Sequence, residues 1–551
     1  MSEPRWVQRF TAPTIEQVVW AEGAPDRVAA VTTESGSDEA WSWDLASGDR
    51  VQASGGIIGA EEVHILPDGS GVVWWYDELG TERGRWLVTP FGGRSAEALL
   101  PELPDGWMMG ISLTERAIAV GLASDEDYRV YVRVAGERAE VRYRHDRPAG
   151  VGSEWPQGRG GLSPDGSLLC IRHAERGDID HPALRVLDAS TGETVGDQAE
   201  PDVRIEAGAW SPVSGDPRLA ITQESTGIER PAVWDPSSGE RRDLELPELE
   251  GPVTAVGWTP DAARIVVHHD PGGGVQRLLA LDPATTTVEE LVAVEGTIHE
   301  AAYRPDGVLW YRTDSSVDPP GVRDVEGRSV LALPGDPPPG RRSRPLSWTN
   351  PSGDTIHGFL TTPDGTGPFP TIASIHGGPG WHHTDLWDPA LQAFVDEGFA
   401  VLQTNYRGST GRGRAFRDVL RGNIGFPESE DVVAGIDHAI ATGIADPGAV
   451  FLEGWSWGGY LTTLLAGLHP ERWRAACAGI PVGDYVAAHY ECAPALRAWD
   501  VATMGGTPMD LPALYRERNP ITYVDRVRAP MLLIAGEHDS RCPLGQVMVY
   551  S

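Results

Sequence analysis

One turn signal recurs through the N-terminal half of the chain at nearly constant spacing. Pro25-Asp26, Pro67-Asp68-Gly69, Pro164-Asp165-Gly166, Pro212, Pro260-Asp261 and Pro305-Asp306-Gly307 follow one another at intervals of 42, 97, 48, 48 and 45 residues. The long interval is about twice the others, and near its midpoint "LTERAIAVGLA" (Leu113 to Ala123) has the same turn-then-strand shape without the proline, which brings the count to seven units. A second ladder, "WDLASG" from Trp43, "LDASTG" from Leu187, "WDPSSG" from Trp234 and "LDPATT" from Leu281, has its last three members 47 residues apart. Between the turns lie short β-branched and aromatic runs with little helical periodicity. A unit of a few short strands cannot bury its own apolar face, so such units must stack. This period with several strands per unit indicates a seven-bladed β-propeller with four strands per blade. An ordinary β-sandwich with common turns is the alternative.

The pattern changes at "LPGDPPPGRRSRP" (Leu333 to Pro345), a proline-rich polar break. A chain of 551 residues exceeds one ordinary core. The expected domains are therefore an all-β propeller over residues 1–335 and a second domain over 336–551. In the second, apolar strand-like runs ("TIASIHGG", "FAVLQTNYRG", "AVFLEGWS", "MLLIAGEHD") alternate with helical patterns ("DPALQAFVDEG", "PESEDVVAGIDHAIAT", "YLTTLLAGL"). That alternation implies an α/β domain with a mostly parallel sheet and helices on both faces.

Composition removes several mechanisms. All 45 basic residues are arginine. Without lysine there is no P-loop, no Schiff-base amine and no S-x-x-K nucleophile. The formal charge of −35 opposes binding to nucleic acid or to an anionic membrane. The four cysteines (Cys170, Cys477, Cys492, Cys542) contain no C-x-x-C pair, and no H-E-x-x-H or comparable ligand spacing occurs. No metal and no cofactor is expected. "MSEPRWVQRFTAPT" lacks the basic start and apolar run of a signal peptide, and no run of 18 apolar residues appears, so the expectation is a soluble, cytoplasmic protein.

Serine chemistry survives these exclusions. Gly454, Ser456 and Gly458 fit G-x-S-x-G, although random order in a chain with 66 glycines supplies about 0.4 such matches. Context decides: the strand "VFLE" precedes the motif and the helical run "YLTTLLAGL" follows it, the strand-elbow-helix setting that lifts a serine hydroxyl above a sheet. A serine needs a base to take its proton and fixed donors for the oxyanion. "IHGGPG" (Ile375 to Gly380) follows an apolar strand and can turn a glycine amide toward the serine, where it would join the amide of Trp457 in an oxyanion hole. The acid should come later in the chain, followed by the histidine. Asp539, 83 residues after Ser456 and read as the end of the strand "MLLIAGEHD", is the candidate acid, with Glu537 as competitor. Twelve residues follow it, "SRCPLGQVMVYS", and none is histidine. His538 would point to the opposite face of a strand, and His376 is better placed to support its own loop.

Four motifs carry a resemblance: "HGGPG" at His376, "NYRGSTGRG" at Asn405, "GWSWGGY" at Gly454 and "GEHDSRCP" at Gly536. With them the chain resembles the prolyl oligopeptidase (S9) family of serine peptidases, nearer to its acylaminoacyl-peptidase-like members. The resemblance implies a propeller followed by an α/β-hydrolase domain, Ser456 as nucleophile, Asp539 as acid, and the amides of Gly378 and Trp457 as oxyanion donors. It also implies Arg541 as the arginine that binds a substrate carbonyl. The family's histidine lies on a loop some tens of residues after the aspartate. Leu544, Val547, Met548 and Ser551 sit at helical spacing with no capping signal after them. The expectation is therefore a C-terminal truncation that removes the histidine with the last strand and helix, leaves an exposed sheet edge, and inactivates this chain.

The leading reading is a serine peptidase acting on short peptides through an acyl-enzyme, with the propeller limiting substrate size. The pocket beside the cut bond is expected to draw on aromatics between Tyr485 and Trp499. An esterase of the same chemistry and a non-catalytic propeller binding protein are the alternatives.

Overall fold

A computed structural model of the chain describes residues 3–56, 58–60, 62–152, 160–335 and 337–551. Its N-terminal part is a ring of seven four-stranded units. Units one and four to seven are separate antiparallel sheets, while the second and third join into one eight-stranded sheet where Arg83 and Gly84 pair with Trp107 and Gly106. The proline-containing turns all fall between the first and second strands of a blade, as at Pro67 between Val63–Ile65 and Gly71–Tyr76, and the "LTER" turn holds the same place in the third. The "WDLASG" ladder connects third to fourth strands, as between Glu39–Asp44 and Arg50–Gln52.

Blades bury their faces on each other. Leu184 and Val186 of the fourth pack with Ile205, Trp210 and Leu219 of the fifth. Two tryptophans 48 residues apart repeat one device: the Trp210 indole donates to the carbonyls of Gly160 and Gly161 (3.0 Å each), and the Trp258 indole to that of Ala209 (2.9 Å). Each clamps its blade to the preceding one while filling the seam with ring surface. The ring closes where Ile15, Val18 and Trp43 of the first blade meet Trp310, Val322 and Leu331 of the last.

The C-terminal part is one seven-stranded sheet. Its spatial order is Arg344–Thr349, Thr355–Thr361, Ala400–Asn405, Phe369–Ile375, Ala445–Trp455, Ala475–Gly479 and Met531–Ile534. The first three strands are antiparallel to one another and the rest run parallel. Ala400–Asn405 is buried along its whole length, as a central strand covered on both faces must be. The helices Phe426–Ala441 and Trp457–Leu468 pack through Val432, Ile436, Leu461, Leu464 and Leu465 against Leu402, Val450 and Leu452. Met531–Ile534 forms one edge, with Leu532 and Ile534 exposed.

One feature departs from the expectations. Residues Arg5–Phe10 form a helix inside the stretch read as all-β, and buried Arg9 ties it to Asp396 and to the Gln392 carbonyl of the second part. The stretch is too short for periodicity to reveal a helix, which is held by tertiary contact. The boundary placed between residues 335 and 336 falls beside Asp336, which lies outside the described residues. Among the described residues, no helix is long and apolar enough to cross a membrane.

The two parts meet through charge. Arg417 binds Glu224 with both terminal nitrogens (2.6 and 2.7 Å), both groups being buried. His181 reaches Asp418 (3.0 Å), Trp499 donates to Asp180 (3.1 Å), and the Arg414 amide donates to the Gly227 carbonyl (2.8 Å).

Candidate active site

Ser456 stands between the strand Ala445–Trp455 and the helix Trp457–Leu468 with φ 55 and ψ −116. A non-glycine residue at positive φ is strained and persists only where its surroundings enforce it. Here the enforcement is backbone approach. A Cβ on Gly458 would lie 1.9 Å from the Ile375 carbonyl oxygen, and one on Gly454 would lie 2.4 Å from that of Gly458. The Ser456 amide donates to the Gly479 carbonyl (2.9 Å), which pins the elbow to the neighbouring strand, and the side chain remains half-buried.

Sheet register brings the glycine loop alongside. Ile375 pairs with Gly454, so the chain leaving that strand passes the serine: a Cβ on Gly377 would sit 3.5 Å from Ser456 Cβ and 4.0 Å from its Oγ. Gly378 follows with φ +117, where a Cβ would meet the Gly380 nitrogen at 2.8 Å, so this loop admits only glycine there. Trp457 is the first residue of its helix, and its amide is one of those a helix start leaves without an intrahelical acceptor. Its buried indole is braced by Tyr460 (4.6 Å), Trp499 (5.2 Å) and Tyr485 (6.3 Å) between ring centres.

Asp539 accepts hydrogen bonds from the amides of Arg541 and Cys542, 2.8 Å each. Burial pushes the Cys542 thiol up to about 12, the Asp539 charge adds to the rise, and the nearby Ser456 side chain opposes it. Serine, aspartate and this thiol therefore share one corner of the site. The strand read as running to Asp539 ends at Ile534; Asp539 lies on the following loop, where its carboxylate caps a turn. The strand argument for His538 lapses with that correction, and His538 and Glu537 are both loop residues.

Arg541 is 63% exposed and lies 3.6 Å from Glu82 of the propeller, whose other oxygen accepts from the Ser540 hydroxyl (3.0 Å). Tyr485 is buried, and its hydroxyl donates to Asp500 (2.9 Å). It forms a wall behind Trp457, with its polar end already committed. Among the described residues no histidine hydrogen-bonds the Ser456 hydroxyl. His376 stacks on Tyr406 (4.2 Å), contacts the Ser409 hydroxyl (2.8 Å) and faces its neighbour's carbonyl, and burial lowers its imidazole to about 3. It supports the glycine loop as a neutral ring.

Two contributors escaped sequence reasoning. Cys542 carries no motif that places it beside a serine. Glu428 is wholly buried, with the Trp457 indole among the donors near its carboxyl, and burial raises it to about 8. Its only sequence signal was its place in the first turn of a helix, which usually means a solvated carboxylate. No group of three or more His, Cys, Asp or Glu among the described residues is arranged to hold a metal ion. Past the glycine loop, a chamber of about 410 Å³ lies between the N-terminal ring and the C-terminal part, with Glu206, Glu229 and His299 on one side and Trp381 and His382 on the other.

Residues 386–550 match the prolyl oligopeptidase family. Among curated proteins, an uncharacterized peptidase of Bacillus subtilis, YuxL, is 29% identical over 205 residues, 36% of this chain and 31% of its own. The human acylamino-acid-releasing enzyme is 32% identical over 206 residues, 34% of this chain and 26% of its own. The matched stretch thus spans a quarter to a third of these relatives. Solved structures extend the likeness in fold to the whole chain. A puromycin hydrolase superposes with a TM-score of 0.78 at 21% identity, covering 100% of this chain and 90% of that one. An acylaminoacyl peptidase of Pyrococcus horikoshii gives 0.69 at 17%, covering 98% and 89%. The strained serine elbow lies within residues 386–550, the stretch that matches the prolyl oligopeptidase family, with the glycine loop beside it.

Proposed function

We propose that the chain is a serine-type peptidase of short peptides, with a propeller domain over residues 1–335 and a hydrolase domain over 336–551. In this reading Ser456 Oγ attacks the scissile carbonyl, its proton passes to a base, and the C–N bond breaks to leave an acyl-enzyme that water then hydrolyses. The amides of Gly378 and Trp457 stabilise the oxyanion, each donor contributing a factor of roughly 10² to 10³. Asp539 is the acid that orients the base, Arg541 binds a substrate carbonyl, and the aromatic wall that includes Tyr485 bounds the pocket. The propeller admits only small substrates to the chamber, and the protein works in the cytoplasm without nucleic-acid or membrane partners.

The observation that carries this reading is the strained Ser456 at φ 55, beside a glycine loop and at the head of a helix whose first amide has no intrahelical acceptor. The acyl-amino-acid and puromycin hydrolases among its relatives support acyl transfer at an amide. Among the described residues no imidazole hydrogen-bonds the Ser456 hydroxyl, so the base that this reading requires, worth about 10²- to 10⁴-fold, is not assigned to a residue. Measured kcat/KM on a short peptide anilide and its matched ester tests the reading. Cleavage of both, lost in Ser456→Ala, is expected. Ester cleavage alone would make the protein an esterase, and peptide binding without cleavage of either would make it a binding protein.

A further inference from the structure

The blades of a propeller surround a central channel, and two cavities open against the strands of this one. One is the chamber against the C-terminal domain. The other, of about 340 Å³, is lined by propeller residues alone and adjoins the first at Glu300 and Ala301. Its walls are mixed: Trp20 and Trp310 meet edge to face at 5.9 Å, Ile65 and Ile111 continue the apolar surface, and Arg312 and Glu300 face each other across paired strands.

Arg312 is the unusual member. Its side chain is only 5% exposed, yet its terminal nitrogens stand 3.8 Å from Glu16 and 4.0 Å from Glu300, beyond hydrogen-bonding distance. Its Nε has no partner among the described residues. A buried guanidinium normally has its donors filled, because water no longer satisfies them. Elsewhere in this chain the buried Arg417 meets Glu224 at 2.6 and 2.7 Å. Arg312 and Glu300 are therefore two opposite charges held in one cavity, close enough to attract and too far apart to satisfy each other.

We infer that this cavity binds a small zwitterion, an α-amino acid or dipeptide with an apolar side chain, its carboxylate on Arg312 and its ammonium on Glu300. A zwitterion bridges the two charges, its carboxylate meeting the terminal nitrogens of Arg312 that stand beyond hydrogen-bonding distance of either glutamate, whereas a simple anion would be opposed by Glu16 and Glu300. The tryptophan and isoleucine walls suit an apolar side chain, and the volume lies at the small end of the about 300–1,000 Å³ found for ligand sites. The site is separate from Ser456 and does not depend on its chemistry, although a peptidase would release such molecules into the adjoining chamber.

Isothermal titration of the full chain with L-leucine, leucinamide and N-acetyl-leucine tests this. Leucine is expected to bind at least tenfold more tightly than either blocked analogue. Glu300→Gln should weaken leucine at least tenfold while leaving N-acetyl-leucine unchanged, and Arg312→Gln should spare leucinamide in the same way. Ser456→Ala should change none of the three, which separates this site from the peptidase reading. If Arg312→Gln fails to fold by circular dichroism, the Glu300 variant carries the test. Equal binding of the three ligands, undiminished leucine binding in Glu300→Gln, or no binding at millimolar leucine would overturn the inference.

Discussion

Replacing Glu428 by glutamine removes an ionisable group from beneath Trp457 while keeping its shape. Burial raises this carboxyl from 4.5 to about 8, the Asp431 charge adds to the rise, and the nearby N–H groups of Gly425, Glu428 itself and Trp457 offset only part of it. Neither carboxyl oxygen has a hydrogen-bond partner among the described residues. The sign follows from linkage. Between pH 4.5 and about 8 the folded protein holds a proton here that the unfolded chain has released, so this group's contribution to stability falls as pH rises. The slope approaches about 1.4 kcal/mol per pH unit, so from pH 5 to pH 7 it takes away on the order of 2–3 kcal/mol. The substituted amide has no proton to exchange, and the half-buried Glu453, also raised to about 7, is common to both proteins and cancels in the difference. Urea unfolding at pH 5, 6 and 7 should show Glu428→Gln gaining on the unmodified chain by that amount across the range. A difference that stays constant, or shrinks as pH rises, would refute the assignment of a proton-bearing acid under Trp457.

Other outcomes follow from the same structure. Gly458→Ala places a Cβ 1.9 Å from the Ile375 carbonyl oxygen, and overpacking against backbone should cost at least the ~1–3 kcal/mol typical of filled cores, read as a lower urea midpoint. Arg417→Gln leaves Glu224 buried and unpaired at the domain interface, a change worth about 3–5 kcal/mol, read by urea unfolding and by faster proteolysis between the domains. Burial lowers the His181 imidazole, but hydrogen bonds to Asp178 and Asp418 raise it more, even with Arg417 and Arg421 alongside, so its folded value lies above 6.5. Its stabilisation is then full below pH 6.5 and lost as pH rises through the folded value. Proteolysis of the segment joining the domains should accelerate over that range, and His181→Gln should abolish the pH dependence.

The propeller was legible because its period is set by chain length per blade, and turns at Pro67, Pro164 and Pro305 all mark the same connection. The hydrolase sheet was legible from alternating apolar runs, with the elbow marked by glycines at 454 and 458 where a Cβ would strike backbone. Short elements were less so. Arg5–Phe10 is helical through tertiary contact, and the strand Met531–Ile534 stops five residues before Asp539, which a run of apolar letters does not disclose. Three-dimensional neighbours with no sequence spacing stayed hidden. Cys542 beside Ser456, Glu428 under Trp457 and Arg312 in the channel depend on which strands the fold brings together.

The central claim is that the 456 hydroxyl is the reacting group. A fluorophosphonate probe followed by peptide mapping in a mass spectrometer tests it most directly. The account predicts one phosphonyl adduct, on Ser456, and none in Ser456→Ala. An adduct on any other residue, or labelling that survives the substitution, would contradict it.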